Sequence, residues 1–222
     1  HKTTDHQVAG SRYALTAKDP HGALMRGSKD GRNPATCQAC HGNQPHPVSL
    51  AKLDDHGKKL NEHTARIACQ TCHIPAIARG GVATKLSWDW STAGRMGPDG
   101  KPMTRKDDKG HVTYDSRKGD FVLGENVTPA YAWFNGKVKY TLLGDKVDKS
   151  KGVNPINHIE GSPGDGKSMI WPMKVMHGTQ PFDPVNNTLV MPHTAGNDNI
   201  GYWKNFDWEK AIADGMQNVG AP

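Results

Sequence analysis

Two pentapeptides, Cys37-Gln-Ala-Cys40-His41 and Cys69-Gln-Thr-Cys72-His73, hold all four cysteines of this 222-residue chain and constrain its fold more than any other feature. A Cys-x-x-Cys pair can close a redox disulfide, supply half of a zinc site, or form two thioether bonds to the vinyl groups of haem. The next residue discriminates among these uses. A His directly after the second Cys places an imidazole on haem iron while the two sulfurs clamp the porphyrin edge. A four-cysteine zinc site would have 28 residues between the pairs, beyond the usual spacer of about 15–20, and would leave both histidines unexplained. A thioredoxin-like centre would want one pair at a helix start beside a βαβ unit, which this sequence does not show. The motifs therefore predict two covalent haem c groups. Cys37, Cys40, Cys69 and Cys72 would be the attachment points and His41 and His73 the proximal iron ligands. No thiol would then remain for nucleophilic catalysis.

Composition points the same way. Leu, Ile, Val and Phe number 35 of 222 residues, below the roughly 20% at which an ordinary core becomes hard to build. Net charge is only +6, and six Trp, five Tyr and eight Met argue against plain disorder. An ordered chain this poor in aliphatics is expected to have a large apolar cofactor, a metal or cross-links at its centre. The sequence pI near 9.1 does not indicate nucleic-acid binding, because Lys and Arg are scattered among acids rather than gathered on one stripe. No apolar run approaches the ~18 residues that would span a bilayer. The chain opens at His1 without an initiator Met or a signal segment, so it is expected to be a processed product or part of a longer chain. Covalent haem attachment and persistent disulfides both belong outside the bacterial cytoplasm, which predicts a periplasmic or extracellular location.

Three regions follow from texture. Residues 1–78 are rich in His and read as a mainly α and irregular haem-binding region, with turn signals at Asp19-Pro20, Asp30-Gly31 and Asn33-Pro34. Its best helix candidate is Leu60 to Thr71, where Leu60, Thr64, Ile67 and Ala68 share one face. A weak repeat, Asp19-Pro20-His21-Gly22 and Asp54-Asp55-His56-Gly57, precedes the two cysteine motifs at similar intervals. Residues 79–204 form a cysteine-free extension rich in β-hairpins. One hairpin is expected from Val112-Thr113-Tyr114 and Phe121-Val122-Leu123 around Arg117-Lys118-Gly119, another from Tyr131, Trp133 and Val138, Tyr140, Leu142 around Asn135-Gly136. Residues 205–222 read as a closing helix, capped by Asp207, with Trp208, Ala211, Ile212 and Met216 as its apolar stripe.

Low-spin electron-transfer haem needs a sixth ligand, usually His or Met. Ten histidines remain beyond the two motifs. His21 and His56 lie in the Asp-x-His-Gly turns, where an Asp could orient the imidazole from behind, and His63 lies six residues before Cys69. These three lead the distal candidates, followed by His46. His177, with Gly178 beside it to permit close approach, is the candidate of the second half. The methionines and the aromatics of Trp88-Asp89-Trp90 and Tyr131-Ala132-Trp133 are read as core packing. A rival reading places a five-coordinate haem active site in this chain, with Lys85, Arg95, Lys174 and His177 handling an oxyanion and protons. A four-cysteine zinc-stapled binding module is the non-redox alternative.

Several longer segments resemble a known family: Ala65-Arg-Ile-Ala-Cys-Gln-Thr-Cys-His-Ile-Pro75, Ala78-Arg-Gly-Gly-Val-Ala-Thr-Lys-Leu-Ser-Trp-Asp-Trp-Ser91, Trp133-Phe-Asn-Gly136 through Leu143-Gly-Asp145, Ile170-Trp-Pro-Met-Lys-Val-Met-His-Gly178 and Asn205-Phe-Asp-Trp208. They are similar to the C-terminal portion of octahaem c-type cytochromes of the tetrathionate reductase type. The resemblance implies a periplasmic multihaem protein that reduces tetrathionate, nitrogen oxyanions or hydroxylamine at a lysine-ligated haem. That family carries eight haem motifs, whereas this chain has two and no Cys-x-x-Cys-Lys. The resemblance therefore implies that the catalytic haem lies in another segment or subunit, that this chain passes electrons between haems, and that a periplasmic or membrane-anchored cytochrome is the donor.

Overall fold

The computed structural model describes residues 41–48, 56–79, 81–196 and 198–221. They fall into two units, and the smaller one, among the described residues, runs up to Ile74 and takes in Met169–Trp171.

This first unit carries helix α1 (His56–His63) and helix α2 (Cys69–His73). The single helix expected over Leu60 to Thr71 is thus broken, and the cause is a distant segment. After α1 the chain leaves the helical path, and Ile67 forms a parallel bridge with Ile170. The Ile170 N–H donates to Arg66 O at 2.8 Å and the Ala68 N–H donates to Ile170 O at 3.0 Å. A continuous helix would claim the same two main-chain groups, so strand-type pairing displaces it. Of the described apolar side chains in this unit only Ala68, 2% exposed, is buried, and Leu60 is exposed.

The second unit, Pro75–Ser168 with Pro172–Pro222, is organised by a five-stranded sheet in the order β2-β3-β4-β1-β9. Its strands are β1 (Thr84–Asp89), β2 (Thr104–Lys106), β3 (Val112–Asp115), β4 (Gly119–Gly124) and β9 (His177–Thr179). The expected β3/β4 hairpin is present, with Tyr114 opposite Asp120 and Asp115 opposite Gly119. Gly119 has φ +85, and any Cβ there would run into the Asp89 carbonyl oxygen of β1, so the turn demands glycine twice over. Strand β9 joins β1 in parallel, pairing Ser87 with His177.

The second expected hairpin is not formed. Strands β5 (Ala130–Phe134) and β6 (Val138–Tyr140) flank Asn135-Gly136, but β6 pairs antiparallel with β7 (Asn157–Ile159) instead. A tight two-residue hairpin needs left-handed backbone at both central residues, and only Gly136 has it. Asn135 Oδ1 accepts from the Lys137 N–H at 2.9 Å while the Asn135 N–H donates to Glu160 O, which redirects the chain onto β7. The remaining described strands are β8 (Met169–Met173), which begins in the first unit, β10 (Phe182–Asp183) and β11 (Thr188–Leu189).

Two helices close the unit, α3 (Tyr202–Asn205) and α4 (Trp208–Asn218). Asp207 caps α4 as expected, accepting from the Lys210 N–H at 3.1 Å, and Ala211, Gly215 and Met216 are its buried side. The core is largely aromatic. Tyr114 and Tyr202 are each 1% exposed. Tyr202 stacks on Trp208 at 3.9 Å, Trp208 meets Trp90 edge-on at 5.8 Å, Trp90 stacks on Trp88 at 4.5 Å, and Trp88 tilts against Phe121 at 5.3 Å. Rings of this size bury much area per residue, so aromatic packing makes up for scarce aliphatics in this unit.

The expected class, a mainly α and irregular haem-binding region with a hairpin-rich extension, is corrected by this architecture. Strand accounts for 28% of the described residues and helix for 19%. The longest helix among the described residues has 11 residues, and frequent Gly and Pro between β-branched and aromatic positions favour short strands.

Candidate haem site

Helix α2 presents Cys69, Cys72 and His73 at spacings of three and four residues, so all three share one side of the helix. Ala68 enters it in an extended conformation, with Thr71 N–H bonded to Ala68 O and Thr71 Oγ1 donating to Ile170 O at 2.7 Å. The same β-type contact that breaks the longer helix thus anchors the start of the short one. Cys69 is half-buried and Cys72 exposed, and neither is in a disulfide. Both sulfurs are available to an incoming group.

His46 is the distal candidate that the structure brings to this motif. Its ring lies nearly parallel to that of His73, with centroids 6.2 Å apart and planes 9° apart. Asn61 of α1 holds it by three hydrogen bonds. The His46 N–H donates to Asn61 Oδ1 at 3.0 Å, Asn61 Nδ2 donates to His46 O at 3.0 Å, and His46 Nδ1 lies 3.1 Å from Asn61 Oδ1. The two main-chain contacts fix which end of the amide is oxygen. Because that oxygen can only accept, Nδ1 must carry the proton and donate it, which leaves Nε2 with its lone pair. This is the tautomer that metal-bound histidines adopt, with the other ring nitrogen tied to an acceptor.

These residues fit haem iron. Two imidazoles binding one metal at about 2 Å per nitrogen have ring centroids about 6 Å apart, close to the separation found. A His-ligated c-type haem also needs two accessible thiols beside one of the rings, as α2 supplies.

The other sequence candidates are placed differently. Cys37, Cys40 and His21 lie outside the described residues, while His41 is described and exposed. His56 and His63 stand at the two ends of α1, both exposed. His177 is an exposed position of β9 in the second unit. The residues of the rival oxyanion site have other occupations there. Lys174 Nζ donates to Thr84 Oγ1 and Lys85 O at 3.0 Å each, Lys85 Nζ lies 3.7 Å from the Trp88 ring centre, and Arg95 is 3.5 Å from Asp120. Among the described residues no group of three or more His, Cys, Asp or Glu is arranged to hold a metal ion.

Two contacts had no signal in the sequence. One is Asn61 behind His46. The other joins His193 to α4: its Nδ1 lies 2.6 Å from Asp214 Oδ2, its Nε2 3.5 Å from Asp198 Oδ2 and 3.1 Å from Ala195 O. The hydrogen bond to Asp214 raises the His193 pKa above its ordinary value, and the nearby Asp198 charge adds to it. This pairing fastens His193 to the last helix.

Comparison with known proteins adds an independent line. A family profile described as "Cytochrome c bacterial" matches residues 85–222, a stretch that contains no cysteine, so the match does not rest on the Cys-x-x-Cys-His motifs. The chain is similar to the octaheme cytochrome c of Shewanella oneidensis, with 39% identity and a TM-score of 0.70 over 84% of this chain. It covers 40% of that protein's chain, and so spans less than half its length. No curated protein matches.

Proposed function

Because the chain belongs to the family of bacterial c-type cytochromes, with covalent haem c as its cofactor and electron carriage as its work, we propose that it is a dihaem electron-transfer portion of a multihaem reductase. Cys69 and Cys72 would hold one haem as thioethers, with His73 and His46 as its two imidazole ligands, and Cys37, Cys40 and His41 would hold the second. Bound haem supplies a one-electron ferric–ferrous couple. The chain's own part would be to hold the first haem with the imidazoles of His73 and His46 and keep those rings in place, while the bound group supplies the redox chemistry.

The single observation that carries this reading is the near-parallel pair of His46 and His73, with ring centroids 6.2 Å apart, in which His73 belongs to the helix that carries the two free thiols. The partial coverage of the octaheme relative supports a partner that carries the remaining haems, either another segment or another subunit. Reduction of tetrathionate, nitrogen oxyanions or hydroxylamine would take place at a haem of that partner. A periplasmic or membrane-anchored cytochrome would be the electron donor, and the periplasm the location. Among the described residues no helix is long and apolar enough to cross a membrane.

The test is His46→Ala in the haem-loaded protein, followed by absorption and electron paramagnetic resonance. Loss of the sixth ligand converts one haem from low spin to high spin while the thioether attachment survives. A variant in which every haem keeps its wild-type low-spin signal would contradict the assignment of His46.

A further inference from the structure

We propose that Asn61 is a positioning residue for this haem, one that sets both the orientation and the electron-donating strength of the distal imidazole. The inference rests on the assignment of His46 as distal ligand and extends it to the group behind that ligand.

Asn is a weak helix former, yet Asn61 sits within α1, two positions before its last residue. Its side chain turns away from the helix to meet His46 at three points, the main-chain N–H, the main-chain carbonyl and the ring nitrogen Nδ1. A ring contact alone would leave the imidazole free to swing with its own backbone. Gripping the backbone and the ring together fixes the ring plane, which lies within 9° of the His73 plane. The amide also decides the tautomer, since its oxygen is committed as an acceptor and draws the proton to Nδ1. An acceptor on Nδ1–H makes Nε2 a better donor to the metal. Ferric iron gains more from a strong donor than ferrous iron does, so this hydrogen bond lowers the potential of the haem.

Besides Gln, whose amide lies one methylene further out, no other side chain supplies the same set. Leu matches the volume but removes all three contacts. Asp keeps an acceptor for Nδ1–H and adds charge, but it cannot donate to the His46 carbonyl. The two replacements should therefore move the potential in opposite directions, which a purely structural role would not produce.

The experiment compares the full-length haem-loaded protein with Asn61→Leu, Asn61→Asp and His46→Ala, using optical redox titration and low-temperature electron paramagnetic resonance. His46→Ala identifies the haem concerned by its change of spin state. For that haem, Asn61→Leu should raise the potential by about tenfold in ferric-over-ferrous preference, or about 59 mV for one electron, and alter the resonance anisotropy as the ring turns. Asn61→Asp should lower the potential and keep the haem low-spin. If Asn61→Leu keeps the wild-type potential and resonance while His46→Ala becomes high-spin, the role of Asn61 is overturned and the ligand assignment stands. If His46→Ala stays low-spin, the ligand assignment fails and the role of Asn61 fails with it.

Discussion

The unit around α2 and the unit around the five-stranded sheet draw on the same aliphatic-poor sequence, and they make up the shortage by different means. In the sheet unit, the rings of Phe121, Trp88, Trp90, Trp208 and Tyr202 form a connected aromatic chain, and Tyr114, Ala211 and Met216 are buried as well. The α2 unit has one buried apolar residue among its described residues, Ala68, and keeps its two thiols and His73 at or near the surface. A protein that buries so little must gain its stability elsewhere, and a covalent cofactor provides both apolar surface and cross-linking. The sheet unit is organised by protein side chains, and the proposed haem would supply the corresponding apolar surface in the α2 unit.

The strongest way to break this contrast is to remove the haem from α2. In a Cys69→Ala/Cys72→Ala double variant, amide hydrogen exchange should show residues 56–74 losing nearly all protection. Strands β1, β3 and β4 should keep theirs. Equal protection of residues 56–74 with and without attachment would show that this unit has a sufficient core of its own.

The converse perturbation comes next in size. Tyr114 is buried, and its hydroxyl accepts from the Arg95 N–H at 2.9 Å and lies 3.2 Å from the carbonyls of Thr92 and Arg95. Tyr114→Ala should destabilise the sheet unit by about 3–5 kcal/mol, measured as denaturant unfolding by Trp fluorescence. The axial-ligand spectrum of the α2 haem should be unchanged. A spectral change of the haem would show that the two units do not respond separately.

The smallest effect sharpens the account of the sheet unit alone. The His193 pKa is raised above its ordinary value of 6.5 by the hydrogen bond to Asp214. The His193 contribution is therefore fully present below that ordinary value and is lost as pH rises through the raised one. Asp198 is shifted the opposite way, held below its ordinary range by the Gly201 and Ile200 N–H groups, and its contribution is lost only as pH falls through that lowered value. Thermal unfolding of wild type and His193→Gln should differ most in mildly acidic solution and converge as pH rises. A difference constant with pH would mean that the imidazolium is not what stabilises this junction.

What the sequence reveals and what it conceals divides along the reach of each contact. The Cys69-to-His73 motif, the β3/β4 hairpin and the Asp207 cap are all set by residues within a few positions of one another, and each is legible. The break after His63 is not, because its cause is Ile170, about a hundred residues further on. The same holds for β6, whose partner β7 lies beyond a long loop rather than across Asn135-Gly136. Within the site, His46 stood behind His21, His56 and His63 as a distal candidate because nothing local distinguishes it. Its meeting with His73 depends on Asn61, fifteen positions away. The balance of strand over helix is hidden because the haem motifs signal short helices while most of the described regular structure lies in the cysteine-free part.

The most direct test is to count covalent haem on the full-length chain by intact mass and pyridine absorption, with metal analysis and sequencing of the peptide that contains Cys69 and Cys72. The account predicts two covalent haem c groups per chain, one of them on that peptide, and no zinc. Zinc without haem, or a Cys69–Cys72 peptide with both thiols unmodified, would contradict it.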